Sequence, residues 1–251
     1  MKVVIIGSGN VATVLGRLIK RSGHTIIQVY DRQLVHANQL ASELQCNATD
    51  SCSSIDKSAD LYLFALSDVA LFELDKTFHF GNKIVVHTAG SVSKDALKNV
   101  SLNYGVLYPL QSLRKEIEIA PEIPFLVDGN TEEALLAIEN FAKTLSPHVQ
   151  ETTDEQRCRL HVAAVVVSNF TNHLLALASD YCQEESVDFE LLFPLIEETV
   201  RRIHKYSPDA MQTGPAIRND TVTLDKHFKL LSKYPRLKYI YIKMTESIIG
   251  R

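Results

Sequence analysis

Cysteine is scarce and scattered. The 251 residues include four, Cys46, Cys52, Cys158 and Cys182, with no C-x-x-C spacing and no paired histidines beside them. That pattern argues against a zinc site or a disulfide framework and fits reduced thiols in a cytoplasmic protein; no metal is expected. Long basic runs are missing too. With a net charge of -4, the chain lacks the clustered cations that phosphate neutralisation requires, so nucleic acid is not expected as a partner. Lys226 to Lys243 is locally basic, but its charges interleave with Leu, Tyr and Ile as on a solvated helix face. No stretch approaches roughly 18 uninterrupted apolar residues, so no membrane span is expected. The apolar N-terminus is broken early by glycine and followed by Arg17, Lys20 and Arg21, unlike a signal peptide. Repeats and low-complexity tracts are absent as well. What remains, 45% apolar and 22% charged residues in 251, is the composition of a soluble globular protein long enough for two domains.

Against that background one stretch stands out. Lys2 to Ala12, KVVIIGSGNVA, joins an apolar strand to an amphipathic helix through a turn built on Gly7, Gly9 and Ala12. Gly7 permits the tight turn, Gly9 lets backbone approach a diphosphate, and Ala12 lets helix pack closely on strand. Ser8, Asn10 and Val11 complete the turn, and the helix start offers free N–H groups and partial positive charge to the anion. About 20 residues on, a second strand, Thr25 to Tyr30, ends at Asp31 and Arg32, where a carboxylate meets a ribose hydroxyl in dinucleotide folds. Asp31 points to NAD and Arg32 is able to pair with the extra phosphate of NADP, so the cofactor is read as NADP or NAD.

Alternation continues. A helix near Leu34 to Leu44 precedes an apolar strand at Leu61 to Leu66, ended by Ser67 and Asp68, a pair suited to cap a helix. A strand at Lys83 to His87 leads into Thr88, Ala89, Gly90 and Ser91, and Ser93 starts a short helix. Strands at Gly105 to Leu107 and Pro124 to Val127 and a helix at Thr131 to Leu145 follow. This order predicts an α/β fold, a doubly wound parallel sheet with right-handed crossovers. Its ligand cleft is then lined by Gly7 to Ala12, Asp31, Leu66 to Asp68 and the loop from His87 to Ser91. After about Thr152 the pattern becomes helical: one long helix from Asp154 to Glu184, then helices near 188–206, 221–233 and 237–249, with Pro194 marking a kink or break. Two domains are therefore expected, residues 1–152 and 153–251.

An N-terminal dinucleotide fold followed by a helical domain resembles the superfamily of 6-phosphogluconate, 3-hydroxyisobutyrate and prephenate dehydrogenases, ketopantoate reductase and pyrroline-5-carboxylate reductase. His87-Thr88-Ala89-Gly90-Ser91, the segment Gly105 to Ser112, Ser168-Asn169-Phe170 and the turn Thr213 to Asp220 are more specifically similar to a family of Rossmann-like NADP oxidoreductases with a helical C-terminal domain of unknown function. The resemblance covers essentially the whole chain and implies an oxidoreductase that uses NADP and dimerises through its helical domain. One departure is clear. Hydroxyisobutyrate-type enzymes carry a catalytic Lys on the first helix of the second domain, and no Lys occurs here between Lys143 and Lys205.

Hydride transfer to a carbonyl or imine needs a proton donor beside the reacting heteroatom. On an unbroken α-helix His161, Ser168 and Asn172 fall within about 20° of one line, with Asn169 and His173 about 80 to 120° away. His161 is the candidate general acid, and Asn169 and Gln111 the candidate substrate-orienting groups; Tyr108 comes from the same strand end as Gln111. Arg218, in the dense turn from Gly214 to Asp220, is a candidate for an anionic substrate group. The expected activity is hydride transfer between NAD(P) and a small, acidic carbonyl, hydroxyl or imine substrate in a cytoplasmic homodimer. The alternative is a catalytically silent NAD(P)-binding sensor.

Overall fold

The computed structural model describes residues 1–74, 78–117 and 122–250. Contacts divide it into two compact units, Met1–Asn169 and Phe170–Arg251.

The first unit is built on an eight-stranded sheet: β1 (Lys2–Ile6), β2 (Thr25–Tyr30), β3 (Asn47–Thr49), β4 (Leu61–Phe64), β5 (Ile84–His87), β6 (Asn103–Pro109), β7 (Phe125–Gly129) and β8 (Val149–Glu151). Their order is β3-β2-β1-β4-β5-β6-β7-β8. The order reverses between β1 and β4, the switch point beyond whose strand ends α/β sheets bind ligands. The strands are continuously apolar because both faces are covered. Val3, Ile5, Leu61 and Leu63 pack under α1 (Asn10–Arg21), α2 (Leu34–Leu44) and α4 (Glu132–Leu145). Val4, Ile6, Tyr62 and Phe64 face the opposite side, with Phe78, Phe80 and Leu71 of α3 (Asp68–Phe72). Burying each such side chain is worth about 1.5–3 kcal/mol.

The sheet is mostly parallel, and its departure corrects the wholly parallel expectation. β7 runs antiparallel to β6, from Gly105 opposite Gly129 to Pro109 opposite Phe125. A parallel return needs a crossover, usually a helix, and residues 110–117 and 122–124 form none. β3 and β8, three residues each, were not expected: so short a segment leaves no period to read. The short helix after Ser93 is a 3-10 turn, Lys94–Leu97.

The expected long helix is composite. α5 (Asp154–Ala164) opens with a capping box in which Thr153 and Gln156 satisfy each other's backbone N–H. A π-helical turn, Val165–Phe170, then leads into α6 (Thr171–Glu184). Taken together, Asp154–Glu184 is long and apolar enough to cross a membrane by length and composition, and none of its most apolar window is buried. The second unit continues with α7 (Phe193–Arg202), α8 (Thr221–Leu230) and α9 (Pro235–Ile249). Pro194 sits in the first turn of α7, a place that tolerates its missing N–H, and so starts a helix rather than kinking one.

Candidate active site

The loop from β1 to α1 is shaped for an anion. Gly7 has φ +107° and a Cβ there would strike the Ala65 carbonyl oxygen, so the turn requires glycine. Its N–H donates to the Tyr30 carbonyl at 2.8 Å, tying the turn to β2. A Cβ on Gly9 would meet nothing within 4 Å. α1 has neither a side-chain cap nor an acidic residue in its first turn, leaving its first N–H groups for a ligand. Asn10 takes its side-chain oxygen to the Lys115 N–H at 3.3 Å, Val11 turns toward the pocket described below, and Ala12 is fully buried. These residues fit a diphosphate.

Asp31 follows β2 directly. Its Oδ2 accepts from Ser8 Oγ at 2.6 Å and its Oδ1 from the Gln33 N–H at 3.0 Å. Two hollows meet at this carboxylate. One, about 620 Å³, is lined by Ser8, Gly9, Thr13, Arg17 and His36; the other, about 400 Å³, by Tyr30, Arg32, Gln33, His36 and Leu66. Ser67 accepts the Ala70 N–H at 3.4 Å and so caps α3, and Ser91 donates to Asp68, linking the loops after β4 and β5.

His87 is fully buried at the end of β5. Ala89 N–H donates to its Nδ1 at 3.2 Å, and its Nε2 lies 3.2 Å from the Ser93 carbonyl. Burial first, and then the charge of Arg157, hold the imidazole down to about 4. His87 is a neutral, fully engaged packing residue.

A pocket of about 540 Å³ opens beside the β5 and β6 ends, lined by Val11, Thr88, Tyr108, Gln111, His161 and Asn169 with apolar neighbours. It gathers all three candidate catalytic residues. Tyr108 Oη lies 2.9 Å from His161 Nδ1, with the rings edge to face at 5.9 Å. Both pass over Gly90, where a Cβ would come within 2.7 Å of His161 Nδ1 and 3.0 Å of Tyr108 Cζ. Gln111 spends its Oε1 on the Ser112 N–H at 2.9 Å. Ser168 lines the pocket on the His161 side, as the α-helical projection expects, and so does Asn169, which that projection set well round the helix; the wider π turn, Val165–Phe170, lies between His161 and Thr171. Arg218 belongs to the second unit and is exposed. Its turn carries φ +108° at Gly214 and +51° at Asn219, and Asp220 caps α8 through the Thr223 N–H at 3.0 Å.

Sequence reasoning missed Arg157. It is 1% exposed, one helical turn before His161, and its guanidinium donates to the Val92 carbonyl and, at 2.7 Å, to Asp154. Asp154 also accepts from Ser93 Oγ and, at 3.1 Å, from the Lys94 N–H. Burial works against this carboxylate, but these donors hold it below its ordinary range. The cluster pins the start of α5 to the loop after β5. A cation in the first turns of a long helix reads as solvated, and its burial shows only once α5 is docked.

Among the described residues no group of three or more His, Cys, Asp or Glu is placed to hold a metal. Residues 2–90 match the family described as NADP oxidoreductase, coenzyme F420-dependent, and residues 123–248 match a domain of unknown function, DUF2520. A crystal structure from Bacteroides fragilis, described as a candidate NADP oxidoreductase, is 36% identical, with a TM-score of 0.93 over 100% of this chain and 98% of that one. The 1-pyrroline-5-carboxylate reductase of Streptococcus pyogenes is similar in fold, at 14% identity and TM-score 0.66 over 100% and 99% of the two chains. So is a reductive aminase of Aspergillus terreus bound to NADPH, at 16% and 0.71 over 99% and 93%. No curated protein matches.

Proposed function

This chain belongs to the family of NADP oxidoreductases that carry a DUF2520 C-terminal domain, and from that premise we propose that it transfers a hydride to or from a small, acidic carbonyl, hydroxyl or imine compound. The observation that carries the reading is the pocket in which Tyr108, His161, Gln111 and Asn169 converge beside Thr88 and Val11. Bound NADP(H) supplies the hydride; Gly7 to Ala12, Asp31, Arg32, Leu66, Ser67 and Thr88 to Ser91 hold it. His161 donates to the reacting oxygen or nitrogen through a ring N–H. The amides of Asn169 and Gln111 orient the substrate, and the apolar wall of Leu110, Leu160 and Val165 limits water. Acidity of the substrate rests on Arg218: the described pocket lining includes no Lys or Arg, so a second copy would bring that cation to the site.

The same reading makes residues 1–152 the nucleotide-binding part and 153–251 the substrate and dimerisation part of a cytoplasmic enzyme. The homodimer is supported by exposed apolar side chains of residues 153–251, such as Val167 at 71% and Leu191 at 77%. A second copy is the occupant rather than a lipid bilayer, because His161, Ser168, Asn169, Asn172 and His173 interrupt the apolar stretch between Arg159 and Asp180. Light scattering on the eluted protein is expected to give twice the mass of one chain; a monomer at micromolar concentration removes this part.

Thermal unfolding with NADPH and NADH tests the core of the proposal. A ligand at 100 times its Kd stabilises by about 2.7 kcal/mol, and absence of any shift with either coenzyme overturns it. With a binding coenzyme in hand, keto acids, cyclic imines and their uncharged counterparts are followed by nicotinamide absorbance. Binding without turnover on the whole panel would instead identify a nucleotide-binding sensor.

A further inference from the structure

Tyr108 is buried, with 9% of its surface exposed. Among the described residues its hydroxyl has one hydrogen-bond partner, His161 Nδ1 at 2.9 Å. The direction of that bond decides which nitrogen of His161 carries a proton. If Nδ1 held it, the imidazole would donate to the phenol oxygen and the phenol's own proton would have no protein acceptor among the described residues. With the proton on Nε2 both groups are satisfied: the phenol donates to Nδ1. His161 Nε2 has no partner among the described residues, and the ring lines the pocket.

We infer that Tyr108 is a positioning residue that locks His161 in its Nε2–H tautomer, so that this N–H is the donor presented to the substrate, with Gly90 providing the space in which the two rings meet. The inference deepens the reading of His161 given above and rests on it. Two further observations support it. Burial raises the Tyr108 hydroxyl above its ordinary range, with Arg157 partly opposing, so the phenol keeps its proton at neutral pH. The helix that carries His161 is fixed at its start by Arg157 and Asp154 on the loop containing Gly90, so the ring cannot drift from the phenol without breaking the bonds of Arg157 to the Val92 carbonyl and of Asp154 to Ser93 and Lys94.

The test uses the full-length, 15N-labelled protein without coenzyme. Long-range proton–nitrogen spectra at pH 8 report which imidazole nitrogen is protonated, with the His161 signal assigned by its loss in His161→Gln. Wild type is expected to show the proton on Nε2. Tyr108→Phe keeps the ring and its edge contact but loses the hydroxyl, and is expected to give a mixture of tautomers. On any substrate found in the panel, Tyr108→Phe is expected to lower kcat at least about tenfold, in the direction seen when a histidine loses its orienting partner, with KM within about twofold. A proton on Nδ1 in the wild type overturns the inference, as does an unchanged spectrum or an unchanged kcat in Tyr108→Phe. Should that variant fail to fold, the wild-type spectrum decides. A correct tautomer with no turnover on any substrate would sink the enzymatic reading and leave the positioning intact; turnover with the wrong tautomer would do the reverse.

Discussion

The two units treat apolar side chains in opposite ways. In residues 1–169 alternate residues of each central strand reach two separate interiors, and Val3 to Ile6 and Leu61 to Phe64 are wholly enclosed. In the second unit the described residues that are buried are Cys182, Ala216, Leu224, Leu231 and Thr245, whereas Leu195 is 63% and Val222 66% exposed. Its helices have the apolar period of packed helices without the packing. The first unit encloses its central strands; the second leaves most of its large apolar side chains partly or fully exposed.

The sharpest way to break this comparison is a matched pair of truncations. Leu15→Ala, at a fully buried position of α1, is expected to cost about 2–5 kcal/mol, at every protein concentration. Leu195→Ala is expected to weaken self-association and to lower the Tm only where the protein is dimeric, because an exposed leucine in a monomer changes stability by no more than about 0.5 kcal/mol. Unfolding followed over a hundredfold range of concentration separates the two. If both variants behave alike, the contrast between the units is wrong.

A second effect of similar size belongs to the closed unit alone. His87 holds its imidazole at about 4, against an ordinary value near 6.5, through burial and the Arg157 charge. Between those values the unfolded chain binds a proton that the folded chain refuses, so stability falls as pH falls from about 6.5 to 4 and is fully present above. The loss is on the order of 3 kcal/mol. Denaturant unfolding at pH 7 and 4.5 measures it, and His87→Gln is expected to flatten that part of the dependence.

The open loops behave in the reverse sense. Gly9→Asp places a side chain where nothing lies within 4 Å, so the Tm stays at the wild-type value. The carboxylate then occupies the space for the diphosphate, and like-charge contact is expected to weaken NADPH at least about a hundredfold by calorimetry. Equal binding would show that the glycine turn is not the diphosphate site.

These contrasts also mark what could be read from residues alone. The nucleotide half was legible because each demand is local: Gly7 is forced by its positive φ, Asp31 by the end of a strand, and the strands by unbroken apolar runs. β3 and β8 escaped because three residues carry no period. The turn of β7 against β6 escaped because strand direction is decided by the connection, not by the strand. The pocket was half legible. His161, Asn169 and Gln111 were singled out as polar residues beside apolar elements, but the projection that set Asn169 away from His161 assumed α-helical winding, and three consecutive valines give no sign of a π turn. Arg157 was hidden because its i,i+3 pair with Asp154 reads as a surface pair, and the Val92 carbonyl becomes its partner only after the helix docks on the loop beyond β5.

The smallest expected effect probes the two hollows that meet at Asp31. A carboxylate there accepts from the Ser8 hydroxyl at 2.6 Å and the Gln33 N–H at 3.0 Å, and in the proposed binding mode it would meet the adenosine ribose, which carries either a 2′-hydroxyl or a 2′-phosphate. The hydroxyl is welcomed as a donor and the phosphate repelled, whereas Arg32, lining the adjoining hollow, attracts the phosphate. Asp31→Asn keeps the size and an acceptor oxygen but removes the charge, so the ratio of NADPH to NADH affinity is expected to rise about tenfold, or about 1.4 kcal/mol. Arg32→Ala is expected to move the ratio in the opposite direction. Calorimetric Kd values for both coenzymes read both changes, and a ratio fixed in both variants would place the ribose away from this strand end.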